Sequence, residues 1–117
     1  AKSIVAKAIE DAKDPRVIVL EKFTPWKRTV HALSEEALYM IYPSDSGQWR
    51  IQTVPVEPGS FEDRKSLPKP WAGLSDQALQ EVTGLDDAMF CHNGLFIAGA
   101  ESFESTMKMA AMALEYA

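Results

Sequence analysis

Five short apolar runs constrain this chain more than any other feature. They occupy residues 17–20, 38–42, 49–56, 88–92 and 95–98. Each is too short for a core helix and suits a strand. Turn residues separate them. Asn93-Gly94 joins the last two runs and predicts a two-residue hairpin, because both residues tolerate positive φ. Pro43-Ser44-Asp45-Ser46-Gly47 predicts a turn that sets the third strand antiparallel to the second.

Helical signals lie between and around the runs. Ile4, Val5, Ala8, Ile9 and Ala12 fall on one face at 3.6-residue spacing, and Asp14-Pro15 stops that helix. Pro25 suits the first turn of a short helix from Trp26 to Leu33. Residues 57–70 hold Pro58, Pro68 and Pro70 and predict a long surface loop. Ser75 caps a third helix, Leu74 and Leu79 form its hydrophobic staple, and Gly84 closes it. Ser102 caps a last helix with Phe103, Met107, Ala110, Ala111 and Leu114 as core stripe. The expected fold class is α+β: a mostly antiparallel sheet of about five strands with helices packed mainly on one face. Residues 1–117 read as one domain. The pattern opens inside a helix with no capping residue before it, so the expectation is a piece of a longer protein.

Composition removes whole classes. With 46% hydrophobic and 25% charged residues, the 117-residue chain fits no collagenous, coiled-coil or disordered class. No run of about 18 apolar residues exists, so no membrane span is expected. One cysteine allows no internal disulfide and fits a reducing compartment, hence a cytoplasmic expectation. The net charge is −5, and no basic cluster is longer than Lys27-Arg28 or Arg64-Lys65. Alone, such a chain is a poor nucleic-acid binder. It suits a few contacts to a site shared with another domain.

No complete catalytic constellation is present, and each candidate residue has a plain reading beside a functional one. Cys91 and His92 are adjacent on a strand and point to opposite faces, so they form no dyad. One Cys and two His do not supply the three or four ligands of a zinc site. His92, beside a turn, is either a ligand contact or a surface and capping residue. Gln48, Arg50 and Gln52 share one strand face, either as a polar stripe that grips a phosphate or carboxylate or as the solvated side of a sheet. Gly94 and Gly99 either expose backbone N–H groups to a phosphate or serve a turn and a bend. Glu62-Asp63 and Asp86-Asp87 read as solvated pairs, and Trp49 as a core anchor. Trp26 and Trp71 are core residues or a stacking platform.

Several blocks occur in a fixed order. They are Pro25-Trp26-Lys27, Ile41-Tyr42-Pro43, Gly47-Gln48-Trp49-Arg50-Ile51-Gln52, Arg64-Lys65-Ser66-Leu67-Pro68, Trp71-Ala72-Gly73-Leu74, and the stretch from Phe90-Cys91-His92-Asn93-Gly94 to Gly99. Together they resemble the C-terminal part of the melanocyte-proliferating-gene family, also labelled metal-dependent protein hydrolase. That family resembles the DHH phosphoesterases, whose N-terminal domain holds two divalent metals, usually manganese or magnesium. A smaller C-terminal domain closes over the site. Eukaryotic members are implied to be 3′–5′ RNA exonucleases. The metal-binding Asp and His motifs have no counterpart in this sequence. The resemblance therefore implies a substrate-side domain without catalytic residues of its own, partnered by an N-terminal domain carrying Mn2+ or Mg2+. It implies substrate contacts at Arg50, Arg64, His92, Gly94, Gln52, Lys27 and Trp26, with RNA or an oligonucleotide as ligand. The sequence departs from the family at Ala98-Gly99-Ala100, which replaces a more glycine-rich stretch. A non-catalytic interaction or dimerisation module, using Met107, Met109 and Met112, is the other class of function that fits, and homo-oligomerisation is compatible with either.

Overall fold

The computed structural model describes residues 2–116; Ala1 and Ala117 lie outside them. Chain order is α1 (Lys2–Asp11), β1 (Val17–Val19), α2 (Lys27–Leu33), β2 (Tyr39–Pro43), β3 (Trp49–Thr53), a 3₁₀ turn (Lys69–Trp71), α3 (Asp76–Thr83), β4 (Ala88–Cys91), β5 (Ile97–Ala100) and α4 (Phe103–Glu115). The strands form one sheet in the order β1-β2-β3-β5-β4. Only β1 and β2 pair in parallel; the other neighbours are antiparallel. A parallel pair needs a crossover, and α2 supplies it. The expected α+β class, with five strands and four helices, is the observed one.

Strand alternation sorts the core into two layers. Tyr39, Ile41, Ile51, Ala98 and Ala100 point to one face and pack with Leu79 of α3 and Met109, Ala110 and Ala113 of α4. Ile18, Met40 and Tyr42 point to the other and pack with Val5 of α1, Trp26 and Val30 of α2. Helices thus lie on both faces. Gathering on one face holds for α3 and α4, whereas α1 and α2 cover the β1–β2 end of the second face. The β1–α2–β2 crossover must lie on a face, and α1 packs against α2. Arg50, Gln52, Phe90 and Ile97 belong to neither cluster and are half-buried. The β3–β5–β4 half of the second face is where the polar stripe lies.

Four local expectations change in detail. The Asn93-Gly94 turn is not a two-residue hairpin with positive φ at both residues. Positive φ falls on Leu95 (61°), the Leu95 N–H donates to the His92 carbonyl at 2.9 Å, and the His92 N–H donates to the Ile97 carbonyl at 2.9 Å. The longer loop lets the Leu95 carbonyl accept from the Leu67 N–H at 3.0 Å, tying it to the 57–70 segment. Helix α2 starts at Lys27 with Trp26 as N-cap, so Pro25 precedes the helix instead of opening it. In α4 the buried side chains are Thr106, Met109, Ala110 and Ala113, and Ala111 and Phe103 turn outward. An Ala/Met-rich stretch carries little contrast between faces, so the buried stripe lies one position from the expected one. Ser75 is the N-cap of α3 by position, but its side chain makes no capping bond.

The acidic pairs are less solvated than their composition suggested. Asp63 is half-buried; burial pushes its carboxyl up against the pull of the nearby Thr53 and Ser66 hydroxyls. Burial, with a smaller push from the Asp63 charge, raises the Tyr39 phenol to about 12. Asp87 accepts from the Ser102 N–H at 3.0 Å and so holds the residue whose Oγ caps α4 by accepting from the Ser105 N–H at 3.1 Å. Lys65 Nζ satisfies the other end of that helix, donating to the Leu114 carbonyl at 3.1 Å and the Tyr116 carbonyl at 2.9 Å.

Burial raises the Asp87 carboxyl, but bonds from Ser105 and Ser102 outweigh it and leave it below its ordinary value. A depressed carboxyl stabilises the fold above the unfolded carboxylate range and loses that contribution as pH falls through the folded value. Asp87→Asn should therefore lower the melting temperature at pH 7 by a few degrees. That corresponds to about 1 kcal/mol for a charged hydrogen bond discounted for exposure. The gap between variant and wild type should close below about pH 4. A gap that persists unchanged at pH 3 would contradict the assignment.

Candidate nucleic-acid interface

The register of the sheet assembles the site. Tyr42 of β2 pairs with Arg50 of β3, Arg50 with Gly99 of β5, and Gly99 with Phe90 of β4. Residues paired across strands share a face. Tyr42, Arg50, Gly99 and Phe90 therefore form one row on the second face. The next row on that face runs Met40, Gln52, Ile97. Gln48 completes the stripe one step before Arg50 on the same face.

Arg50 does not wave in solvent. Its guanidinium carbon lies 4.9 Å from the centre of the Phe90 ring, a cation–π distance. Getting there requires crossing β5. A Cβ at Gly99 would stand 2.7 Å from Arg50 Nη1, 2.8 Å from Phe90 Cε1 and 3.1 Å from the Trp49 carbonyl oxygen. Gly99 is needed for space, since its φ is not positive. Nη2 donates to Gln48 Oε1 at 3.3 Å and Nη1 lies 3.4 Å from the Trp49 carbonyl, both weak. The fork is thus positioned but only lightly engaged. It retains donors for two oxygens of an oxyanion such as a phosphate.

Beside this row lies a cleft of about 600 Å³ between α2 and β2. Lys27, Arg28, Tyr42 and Gln52 line it, together with Phe23 and Trp26. The Tyr42 hydroxyl donates to Gln52 Oε1 at 2.7 Å and couples the cleft to the stripe. Burial pushes the Tyr42 phenol up, and the Arg50 charge pulls against it.

The sequence candidates do not all meet here. Arg50, Gln52 and Lys27 do. Trp26 contributes a wall but is 3% exposed and packs in the second core layer, with Lys27 Nζ 6.0 Å from its ring centre. It offers no open stacking surface. Trp71 is likewise core, and Trp49 packs edge-on against Phe103 at 4.9 Å. Arg64 serves elsewhere: its Nη1 donates to the Ser34 carbonyl at 2.8 Å and the Ala37 carbonyl at 2.9 Å. Its backbone bonds to Val54, roughly 13 Å along β3 from Arg50. His92 is exposed and separated from Gln52 by β5, roughly 10 Å across the sheet. Its Nδ1 accepts from the Gly94 N–H at 2.8 Å and its ring packs on Phe96 at 4.5 Å. That bond requires the tautomer with hydrogen on Nε2, which leaves Nε2–H as a donor. Gly94 therefore spends its N–H on His92. Cys91 is buried, and desolvation pushes its thiol up to about 11, which leaves it a poor nucleophile.

Phe90, Tyr42 and Phe23 were missed as site residues. Phe90 and Tyr42 read as core members of apolar runs. Only their register with Arg50 shows otherwise.

Among the described residues no three His, Cys, Asp or Glu side chains come together. The donors present do not fit a resident divalent ion. Also among the described residues, no helix is long and apolar enough to cross a membrane.

Comparison with known proteins places the chain. The sequence model of the family described as MYG1_exonuc, Uncharacterised protein family (UPF0160), matches residues 1–114. The chain is 38% identical to a MYG1 protein of Schizosaccharomyces pombe over 122 residues, covering 99% of this chain and 37% of that protein. It is 36% identical to a MYG1 protein of Saccharomyces cerevisiae over 124 residues, covering 97% of this chain and 37% of that protein. It is 41% identical to the MYG1 exonuclease of Homo sapiens over 92 residues, covering 74% of this chain and 24% of that protein. The chain thus spans between about a quarter and somewhat over a third of these relatives' length. No solved structure matches it.

Proposed function

Given that the chain belongs to the MYG1_exonuc family, we propose that it is the substrate-side domain of a longer exonuclease. It grips the backbone of a single-stranded RNA or short oligonucleotide. The observation that carries this reading is the Arg50 guanidinium laid over Gly99 against Phe90, on a sheet face flanked by Gln48 and Gln52. Curated mammalian relatives bear the name exonuclease, which supplies the reaction class.

In this account Arg50 receives a phosphate through its planar fork, and the aromatic ring beneath fixes the fork's orientation. Gln48 and Gln52 hold the neighbouring sugar–phosphate atoms by neutral hydrogen bonds. Lys27 and Arg28 draw the strand toward the cleft. His92 Nε2–H offers one further donor across β5. The hydrolytic step belongs to an N-terminal domain of DHH phosphoesterase type outside this sequence. When bound there, Mn2+ or Mg2+ supplies Lewis acidity and an activated water.

The test compares the full-length parent with this chain on a short single-stranded RNA in the presence of manganese. Cleavage by the parent and none by the chain is the expected result. A parent inert on RNA and on simple phosphodiesters would remove the basis of the proposal.

A second reading has its own observation. A groove of about 940 Å³ runs between α1, β1 and the start of α4. Ile4 (45% exposed) and Phe103 (40% exposed) stand on its rim, with Met107 beside them. β1 is also an outer strand of the sheet. Such a surface suits a protein interface, with the rest of the parent or a second copy. The groove opens at the β1 edge and Arg50 lies on the β3–β5–β4 half of the sheet, so the two readings are compatible.

A further inference from the structure

We infer that the cleft between α2 and β2 is a stacking subsite for the terminal nucleobase of the bound strand, with Phe23 as its platform. The inference rests on the reading of the Arg50 face as a nucleic-acid surface and adds what that reading leaves open: how the strand end is held.

Three observations converge. The first is Phe23 itself, an aromatic ring 55% exposed at a concave site. A single exposed phenylalanine is ordinary on a protein surface. This one is held edge-on by Tyr42, with ring centres 5.0 Å apart and planes at 62°. The second is charge. The cleft is lined by Lys27 and Arg28 and by no acidic residue, in a chain whose net charge is −5. The third is the state of Gln52. Its Oε1 is occupied by the Tyr42 hydroxyl at 2.7 Å, and its Nε2 bonds to none of the described residues. Nε2 therefore presents N–H donors beside an aromatic platform.

A ligand that answers all three has a flat apolar face, hydrogen-bond acceptors on its edge and a negative charge close by. The end of an oligonucleotide has each of these. The cleft volume of about 600 Å³ lies in the range of small-ligand sites and holds one nucleoside with room for solvent. Arg50 pairs with Tyr42 on the adjoining strand, so the phosphate next to a base in the cleft falls toward the guanidinium. Stacking on one ring tolerates every base, because every base has a π-face. The subsite thus takes any base and reads no sequence.

The test uses the full-length parent in EDTA, which arrests cleavage, and a single-stranded RNA carrying 2-aminopurine at one terminus. Each terminus is labelled in turn. Binding should quench the 2-aminopurine fluorescence at one end only. Phe23→Leu, which keeps an apolar side chain without a π-face, should weaken binding about 5–100-fold and abolish the quench. An RNA with an abasic residue at that end should bind wild type and Phe23→Leu equally. Arg50→Ala should weaken both RNAs. If Arg50→Ala weakens binding while Phe23→Leu and the abasic end change nothing, the stacking subsite is wrong and the phosphate site stands. If RNA does not bind, or binds independently of Arg50, both fall.

Discussion

Arg50→Ala in the full-length parent should lower kcat/KM on single-stranded RNA by about 10–100-fold, the loss of one charged hydrogen-bonding partner to phosphate. Its melting temperature should move by only a few degrees, because the bonds Arg50 makes within the chain are long and its ring contact is half-exposed. Arg64→Ala should do the reverse. Arg64 Nη1 holds the Ser34 and Ala37 carbonyls, both in buried residues, and so pins the 57–70 segment to the α2–β2 connection. Its loss should lower stability by about 2–3 kcal/mol, a fall of roughly ten degrees or more. Activity measured well below the melting point should stay near wild type. Both arginines come from blocks that resemble one family, and only the structure separates their roles. Equal activity losses in the two variants, with equal stability losses, would contradict that separation.

Gly99→Ala should be nearly as damaging to binding as removing Arg50. In an ordinary strand interior, replacing glycine with alanine stabilises by roughly 0.5–1 kcal/mol. Here the new methyl would stand 2.7 Å from Arg50 Nη1 and 2.8 Å from Phe90 Cε1. The guanidinium is the flexible member and must leave the ring, while the Phe90 ring shifts with more difficulty. Overpacking of this kind typically costs about 1–3 kcal/mol. A net stability loss of about 1–2 kcal/mol is expected, with binding lowered about tenfold. The mechanism has a signature. In the Gly99→Ala, Arg50→Ala double variant the clash with Arg50 is gone, so the losses should sum to less than the single variants predict. Strict additivity would show that the two residues act independently.

The fold was legible in the sequence to the extent that short apolar runs and turn residues spoke for themselves. Each of the five strands overlaps one of the five runs, although β2 extends to Pro43 and β5 starts at Ile97 and extends to Ala100. Gly84 closes α3 in the left-handed conformation, with φ 73°, as a C′ glycine should. What the sequence did not show depends on contacts distant in the chain. The parallel pairing of β1 with β2 is a fact of the crossover and not of either run. The loop after β4 departs from the two-residue turn because the Leu67 N–H ties the Leu95 carbonyl, and Gly73 leaves room for Asn93, whose Oδ1 would stand 3.3 Å from a Gly73 Cβ.

The site was legible only as a stripe. Period-2 alternation put Gln48, Arg50 and Gln52 on one face, and that is where they are. Nothing local said whether that face met solvent or a helix. The answer came from α1 and α2, which stop at the β1–β2 end. Trp26 misled because a tryptophan flanked by Pro25 and Lys27 looks exposed, whereas the crossover folds it under α1. Phe23 escaped notice because the Glu21-Lys22 pair before it looks like plain loop. Gly99 reads as a phosphate-facing glycine or a bend before a helix, and its true constraint is the side chain of Arg50, its partner on the neighbouring strand but far away along the chain.

In the proposed function the RNA strand lies across the second face of the sheet at β3–β5–β4 and ends in the α2–β2 cleft. Photo-crosslinking of a 4-thiouridine-substituted single-stranded RNA to the full-length parent, mapped by mass spectrometry, tests it most directly. Cross-links within this chain are expected at Phe23, Tyr42 and Phe90. Cross-links confined to Ile4, Phe103 and Met107 would place the nucleic acid in the α1–α4 groove and contradict it.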